Sequence, residues 1–124
     1  MIPLLIGLGI GIIGTVVAFV YWDDIVNWLN DFIPKLKTAW DELKQNIAHA
    51  AMMAAEKVKE AGKFIVKIMH KLYYKNENQQ WVEETTTRTV PENEVPPAIR
   101  AKVSKQEVEA DITEDIEREL NLEI

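Results

Sequence analysis

The chain has two histidines, His49 and His70, 21 positions apart. An imidazole works as a general base or metal ligand only when a partner is held beside it. Neither histidine has a His-Glu-x-x-His or comparable ligand spacing around it, so each reads as a structural residue of a helix. There is no cysteine, which excludes a disulfide scaffold and any cysteine-ligated zinc or iron–sulfur centre. Serine occurs once, at Ser104 in a capping position, so a Ser-His-Asp arrangement is not expected. The carboxylate pairs Asp23/Asp24 and Asp41/Glu42 read as helix-start and surface groups. The expectation is no catalytic residue, no cofactor site, no metal site and no enzyme.

The remaining chemistry lies in charge. Residues 1–75 hold nine lysines and seven acids, a net of +2; residues 76–124 hold five basic residues and thirteen acids, a net of −8. The overall −6 therefore combines a basic middle with an acidic end, a pattern of two different surfaces. Lys59, Lys63, Lys67, Lys71 and Lys75 recur every four residues. On a helix they form a slowly winding basic ridge opposite Val58, Ala61, Ile65, Ile68 and Leu72. Such a ridge attracts anionic lipid headgroups, an acidic protein or nucleic-acid phosphates, or is simply a solvated face. It lacks arginine and interleaved aromatics, which argues against nucleic acid as a partner.

Four of the five glycines (Gly7, Gly9, Gly11, Gly14) fall in the first fourteen residues, and no charged side chain precedes Asp23. Ile2–Trp22 is an uncharged run of 21 residues, about 31 Å as a helix, which matches a bilayer core. The reading is a transmembrane helix over 1–22, with Phe19, Tyr21, Trp22 and Trp28 as interface anchors. A cleaved signal peptide would need a basic start and a small-residue cleavage site, and neither is present. Lys35 and Lys37 after the span place the N-terminus outside and the C-terminus in the cytoplasm. Gly7, Gly11, Gly14 or Thr15, and Ala18 make a small-residue ridge suited to packing spans together. Plain anchoring and a membrane-inserting peptide are the alternatives.

Residues 23–34 read as an interfacial amphipathic helix, with Trp22, Ile25, Val26, Leu29, Phe32 and Ile33 on one face, or as a helix packed on protein. Pro34 breaks or bends the path. Residues 35–75 carry apolar positions at a mean spacing of 3.6 from Leu36 to Leu72, so they read as one long basic helix. At about 60 Å it would lie on a membrane, fold back near Gly62 or pack against copies of itself; packing against copies is the reading favoured.

Residues 76–103 read as an extended linker with a strand over 80–90, where Trp81, Glu83, Thr85, Thr87 and Thr89 alternate with Val82, Glu84, Thr86, Arg88 and Val90. Its partner would be 95–103 or a neighbouring subunit. Ser104 and Glu107 fit a capping box that opens an acidic helix over 104–124. Its stripe of Val108, Ile112, Ile116 and Leu120 needs a protein contact, either the basic helix or an external partner. The fold expected is mainly α: one N-terminal transmembrane helix, a long amphipathic cytoplasmic helix, a short β segment and an acidic C-terminal helix, in an oligomer. The function expected is a single-span membrane protein, bound to the lipid bilayer, that self-assembles as a homo-oligomer with a structural or pore-like role. The alternatives are a membrane-tethered adaptor that recruits a protein through its C-terminal helix, and a virion membrane or nucleic-acid conduit component.

Overall fold

Alternation with a period of two, not the helical period, governs the middle of the chain. From Val66 to Tyr74 every even-numbered residue is buried, while Ile65, Lys67, Lys71 and Tyr73 are half-buried between them. Phe, Ile, Val and Tyr favour a pleated backbone, and Lys63–Lys75 is a strand. The computed structural model describes residues 11–12, 17–44, 49–75, 78–104 and 109–122. In chain order it contains β1 (Gly11–Ile12), β2 (Val17–Ala18), α1 (Trp22–Lys44), β3 (His49–Glu60), β4 (Lys63–Lys75) and β5 (Trp81–Pro91). These are followed by a 3-10 turn (Glu92–Glu94), α2 (Pro97–Lys102), β6 (Glu109–Asp111) and α3 (Thr113–Leu120).

The sheet runs in the order β1-β5-β4-β3-β6, with β2 also pairing β5. β3, β4 and β5 form an antiparallel meander with Ala55 opposite Ile68 and Ile68 opposite Arg88. β6 joins β3 antiparallel, whereas β1 and β2 join β5 parallel. Ala61 and Gly62 both have positive φ, 50° and 79°, the two-residue geometry whose twist suits adjoining antiparallel strands.

All three helices lie on one face of this sheet. Ile25, Leu29 and Ile33 of α1, Ile99 of α2 and Ile116 of α3 share one buried cluster with Met53, Ala55, Val66, Ile68 and Val90. Leu36 and Trp40 continue the α1 stripe onto Leu72, Tyr74 and Val82. Asp115 of α3 is buried and accepts hydrogen bonds from Lys102 of α2 at 2.5 Å and from Arg118 at 2.9 Å, tying the two short helices together.

Several expectations are corrected by this architecture. The fold is mixed α/β with a sheet, not mainly α. Among the described residues no helix is long and apolar enough to cross a membrane. Within the apolar run, Gly11 belongs to β1 and Ala18 to β2, both hydrogen-bonded to β5; Gly7, Gly14 and Thr15 lie outside the described residues. That finding overturns the single-pass topology, its membrane localisation and the functions built on it: the pore-like assembly, the membrane-tethered adaptor and the virion conduit. The supposed interface anchors have other duties. Phe19, Trp22 and Trp28 pack against the core, and Tyr21 is exposed.

Pro34 does not end the helix. It is exposed inside α1, so the carbonyl it leaves without an N–H faces water, while Ile33, Leu36 and Trp40 hold the backbone to the sheet. The long basic helix over 35–75 is instead the end of α1 and the β3–β4 hairpin, folded back at Gly62. At the C-terminal end the helix begins at Thr113, not Ser104. Asp111 Oδ1 accepts the Thr113 N–H at 2.9 Å, which together with the Thr113 hydroxyl holds the Asp111 carboxyl below its ordinary value. Glu107 and Val108 lie outside the described residues. Ile112, Ile116 and Leu120 pack against this chain's own core. The segment 95–103 does not pair with β5; it forms α2.

Candidate ligand-binding cleft

Small side chains open a space under the second half of α1. On β3 the residue packed with Leu36 and Trp40 is Ala51, and between helix and sheet lies a cleft of about 330 Å³. Ile33, Leu36, Lys37, Trp40 and Asp41 of α1 form one wall; Ala50 and Ala51 of β3 with His70 and Leu72 of β4 form the other. One helical face supplies Ile33, Lys37 and Asp41 at four-residue steps. Strand alternation supplies His70 and Leu72 from β4.

His70 is 2% exposed. Its ring meets Phe32 edge-on with centroids 5.3 Å apart, and Phe32 stacks on Trp28 at 5.6 Å. The Arg88 guanidinium lies over the Trp28 ring, 4.8 Å from its centroid. Burial, together with the nearby Lys37 charge, lowers the His70 pKa to about 4 against the opposing pull of a backbone hydrogen bond. At neutral pH the ring is therefore uncharged, with one nitrogen donating and the other accepting.

Beside Leu72, in register on β5, stands Glu84. It is 2% exposed, accepts the Tyr74 hydroxyl on Oε1 at 2.7 Å, and its Oε2 has no hydrogen-bond partner among the described residues. Burial raises this carboxyl to about 7, and the Tyr74 hydrogen bond acts in the opposite direction. Tyr74 in turn meets Trp40 of the cleft wall in a T-shaped contact at 4.8 Å. The cleft thus has apolar side chains on both walls with the charged Lys37 and Asp41 among them, a neutral imidazole in its floor and a protonatable carboxyl behind one side. This arrangement can bind a compact apolar molecule and orient one polar group of it.

The sequence-derived basic ridge divides. Lys63, Lys67, Lys71 and Lys75 share the β4 face away from the helices, since four residues are a whole number of strand repeats as well as about one helical turn. Lys59 lies on β3 facing the other way, 5.7 Å above the Phe64 ring. Acidic neighbours surround the row: Lys71 contacts Glu109 and lies 3.8 Å from Glu83, and Glu56 is directly opposite Lys67. For Lys71, burial acts to lower the pKa, but Glu109 and Glu83 outweigh it and leave the group raised.

Sequence reasoning placed no chemistry at His70 or Glu84. The signal for Glu84 was present, a carboxyl alternating with Val82 and Val90 on one side of a strand. The signal for His70 was its place between Ile68 and Leu72 in the same period. Among the described residues no group of histidines and acids could hold a metal ion. No protein-family model, curated protein or solved structure matches the chain.

Proposed function

We propose that this chain is a binding domain for a small, mainly apolar molecule, held in the cleft between α1 and the β3–β4 hairpin. The observation that carries the reading is the concavity itself. About 330 Å³ of space is lined by Ile33, Leu36, Trp40, Ala50, Ala51 and Leu72, with Lys37 and Asp41 also on its wall and His70 in its floor. Ligand sites are concave, largely apolar and pre-formed, with a few polar groups that fix orientation, and this volume is at the small end of their usual range. The buried neutral imidazole, whose N–H is engaged by a backbone hydrogen bond, offers its other ring nitrogen as an acceptor to such a molecule. The reading is one of binding; it assigns no turnover to the site.

The test is a fragment titration followed by NMR on the full chain. Compact aromatic and branched aliphatic fragments are expected to shift the Trp40 indole, the His70 ring and the Leu36 and Leu72 methyls together. Ala51→Phe fills the cleft from β3 and is expected to abolish those shifts while the circular dichroism spectrum is retained. Fragments that leave all four residues unmoved in the folded wild-type chain would overturn the proposal.

A further inference from the structure

Along the edge away from β4, strand β3 is closed only in its middle. Ala54, Ala55 and Glu56 are paired by β6. At Met53 the carbonyl accepts the Ile112 N–H, and the Thr113 hydroxyl accepts the Met53 N–H at 3.0 Å. Both Met53 groups thus point out of the edge, so alternation points those of Ala51 out as well. Among the described residues no hydrogen bond reaches the Ala51 N–H or C=O on that side. An open edge is ordinarily guarded by charge, proline or a bulge. The far end of β3 is guarded in this way, by Lys57, Lys59 and Glu60; Ala50, Ala51 and Met52 carry no such guard.

Space lies on both flanks of this stretch. The cleft under α1 reaches Ala50 and Ala51, and a second hollow of about 530 Å³ reaches Ala51 and Met52. Lys102, Asp111, Thr113 and Glu114 bound the second hollow. The two meet at Ala51, just beyond the point where β6 stops. The second hollow is acidic: the Lys102 amine is bound to Asp115 at 2.5 Å, whereas Asp111 and Glu114, both exposed, form no ion pair among the described residues.

We propose that an extended peptide segment adds to β3 at Ala51, in line with β6 and antiparallel to β3, with an apolar side chain in the cleft and a basic residue just before it. This rests on the cleft being a binding site, and it makes the apolar group a side chain of the added strand. Strand addition pairs backbone with backbone and takes its specificity from pockets for alternate side chains. The residue opposite Ala51 stands on the same face of the sheet, toward Leu36 and Trp40, which pack with Ala51. The residue before it lies opposite Met52 on the other face, about 7 Å from Asp111 along the line of β6. Lys71, the β4 partner of Met52, is held by Glu109 and Glu83, which leaves the acidic hollow to the peptide's cation.

The experiment titrates the full chain at pH 7 and low salt with acetyl-Lys-Leu-Thr-Val-amide, followed by NMR and amide hydrogen exchange. The peptide is expected to shift Leu36, Trp40 and Leu72 together and to slow exchange of the Ala51 N–H about tenfold at saturation. Methylating the leucine nitrogen of the peptide removes its bond to the Ala51 carbonyl and is expected to weaken binding about tenfold. Replacing the peptide lysine by glutamate is expected to weaken it about fivefold. The small amide 4-methylpentanamide carries the leucine side chain without the strand; it is expected to enter the cleft more weakly and to leave Ala51 exchange unchanged. If the N-methylated peptide or the small amide binds as tightly as the parent peptide, strand addition falls and the cleft reading stands. If the glutamate peptide binds as tightly, the basic residue falls. A dimeric chain whose Ala51 amide is protected before any peptide is added overturns the assignment in favour of a second copy. If neither peptide nor small amide moves the cleft resonances, both readings fall.

Discussion

Replacing Glu84 by glutamine isolates one proton in the stability of this chain. In the folded protein burial holds the Glu84 carboxyl at about 7 against an ordinary value of 4.5. Between those values the folded state keeps a proton that the unfolded state has released. Stability therefore falls as pH rises through this window and becomes level above about pH 7. At about 1.4 kcal/mol per pKa unit, the full loss is about 3 kcal/mol. Glutamine has the same shape and can still accept the Tyr74 hydroxyl, but it does not titrate. Its side-chain NH2 replaces Oε2, which shifts stability by a constant amount at every pH. The assay is urea denaturation of wild type and Glu84→Gln from pH 4.5 to 8.5, read by circular dichroism. The expected result is a difference in unfolding free energy that moves in favour of Glu84→Gln by about 3 kcal/mol across the range, most of it between pH 5 and 7. Two parallel curves would refute the reasoning, because a carboxyl that ionised normally inside the fold would give no slope.

His70 has the mirror-image behaviour. Its value of about 4 lies below the ordinary 6.5, so stability is intact above pH 6.5 and falls by up to about 3 kcal/mol as pH drops towards 4; His70→Gln should flatten that acid limb in the same denaturation series. In wild type the two slopes oppose each other between pH 4.5 and 6.5, so its curve should be flatter there than that of either variant. Ala61 sits at φ 50° in the β3–β4 turn, and Ala61→Asn, which creates Asn-Gly, should stabilise the chain by about 0.5–1 kcal/mol in thermal unfolding. Pro34 is exposed within α1. Restoring its N–H with Pro34→Ala should raise stability by about 1–3 kcal/mol, and an unchanged melting temperature would show that the helix is already relaxed around the ring.

How much of this was readable from the residues depends on which periods a segment satisfies. Ile25, Leu29, Ile33, Leu36 and Trp40 fit only the helical period, and they are the buried face of α1. The alternation over 80–90 identified the two sides of β5 correctly because threonine and valine leave little choice. Residues 63–75 satisfy both periods, since lysines four apart share a face on a helix and on a strand. There the decision belonged to the turn: Ala61 and Gly62 at positive φ reverse the chain and give β4 a partner on each side. In β3 the alanines and methionines of residues 50–55 favour helix intrinsically, and pairing with β4 and β6 overrides them. The candidate cleft was illegible because it arises from what Ala51 lacks, which matters only once α1 lies across it.

The order of strands in the sheet also sets a timetable. The meander from β3 to β5 closes between sequence neighbours, so each strand meets its partner soon after it leaves the ribosome. The first strands made are an exception. Gly11 finds its place opposite Glu84, about 70 residues later in synthesis. Throughout that interval the apolar beginning of the chain is without its sheet partner, and when β5 emerges its outer edge is open until β1 and β2 reach it. An unpaired edge is a template for another chain. The interval between β5 leaving the ribosome and the docking of the N-terminal strands is therefore when this protein is most exposed to mispairing.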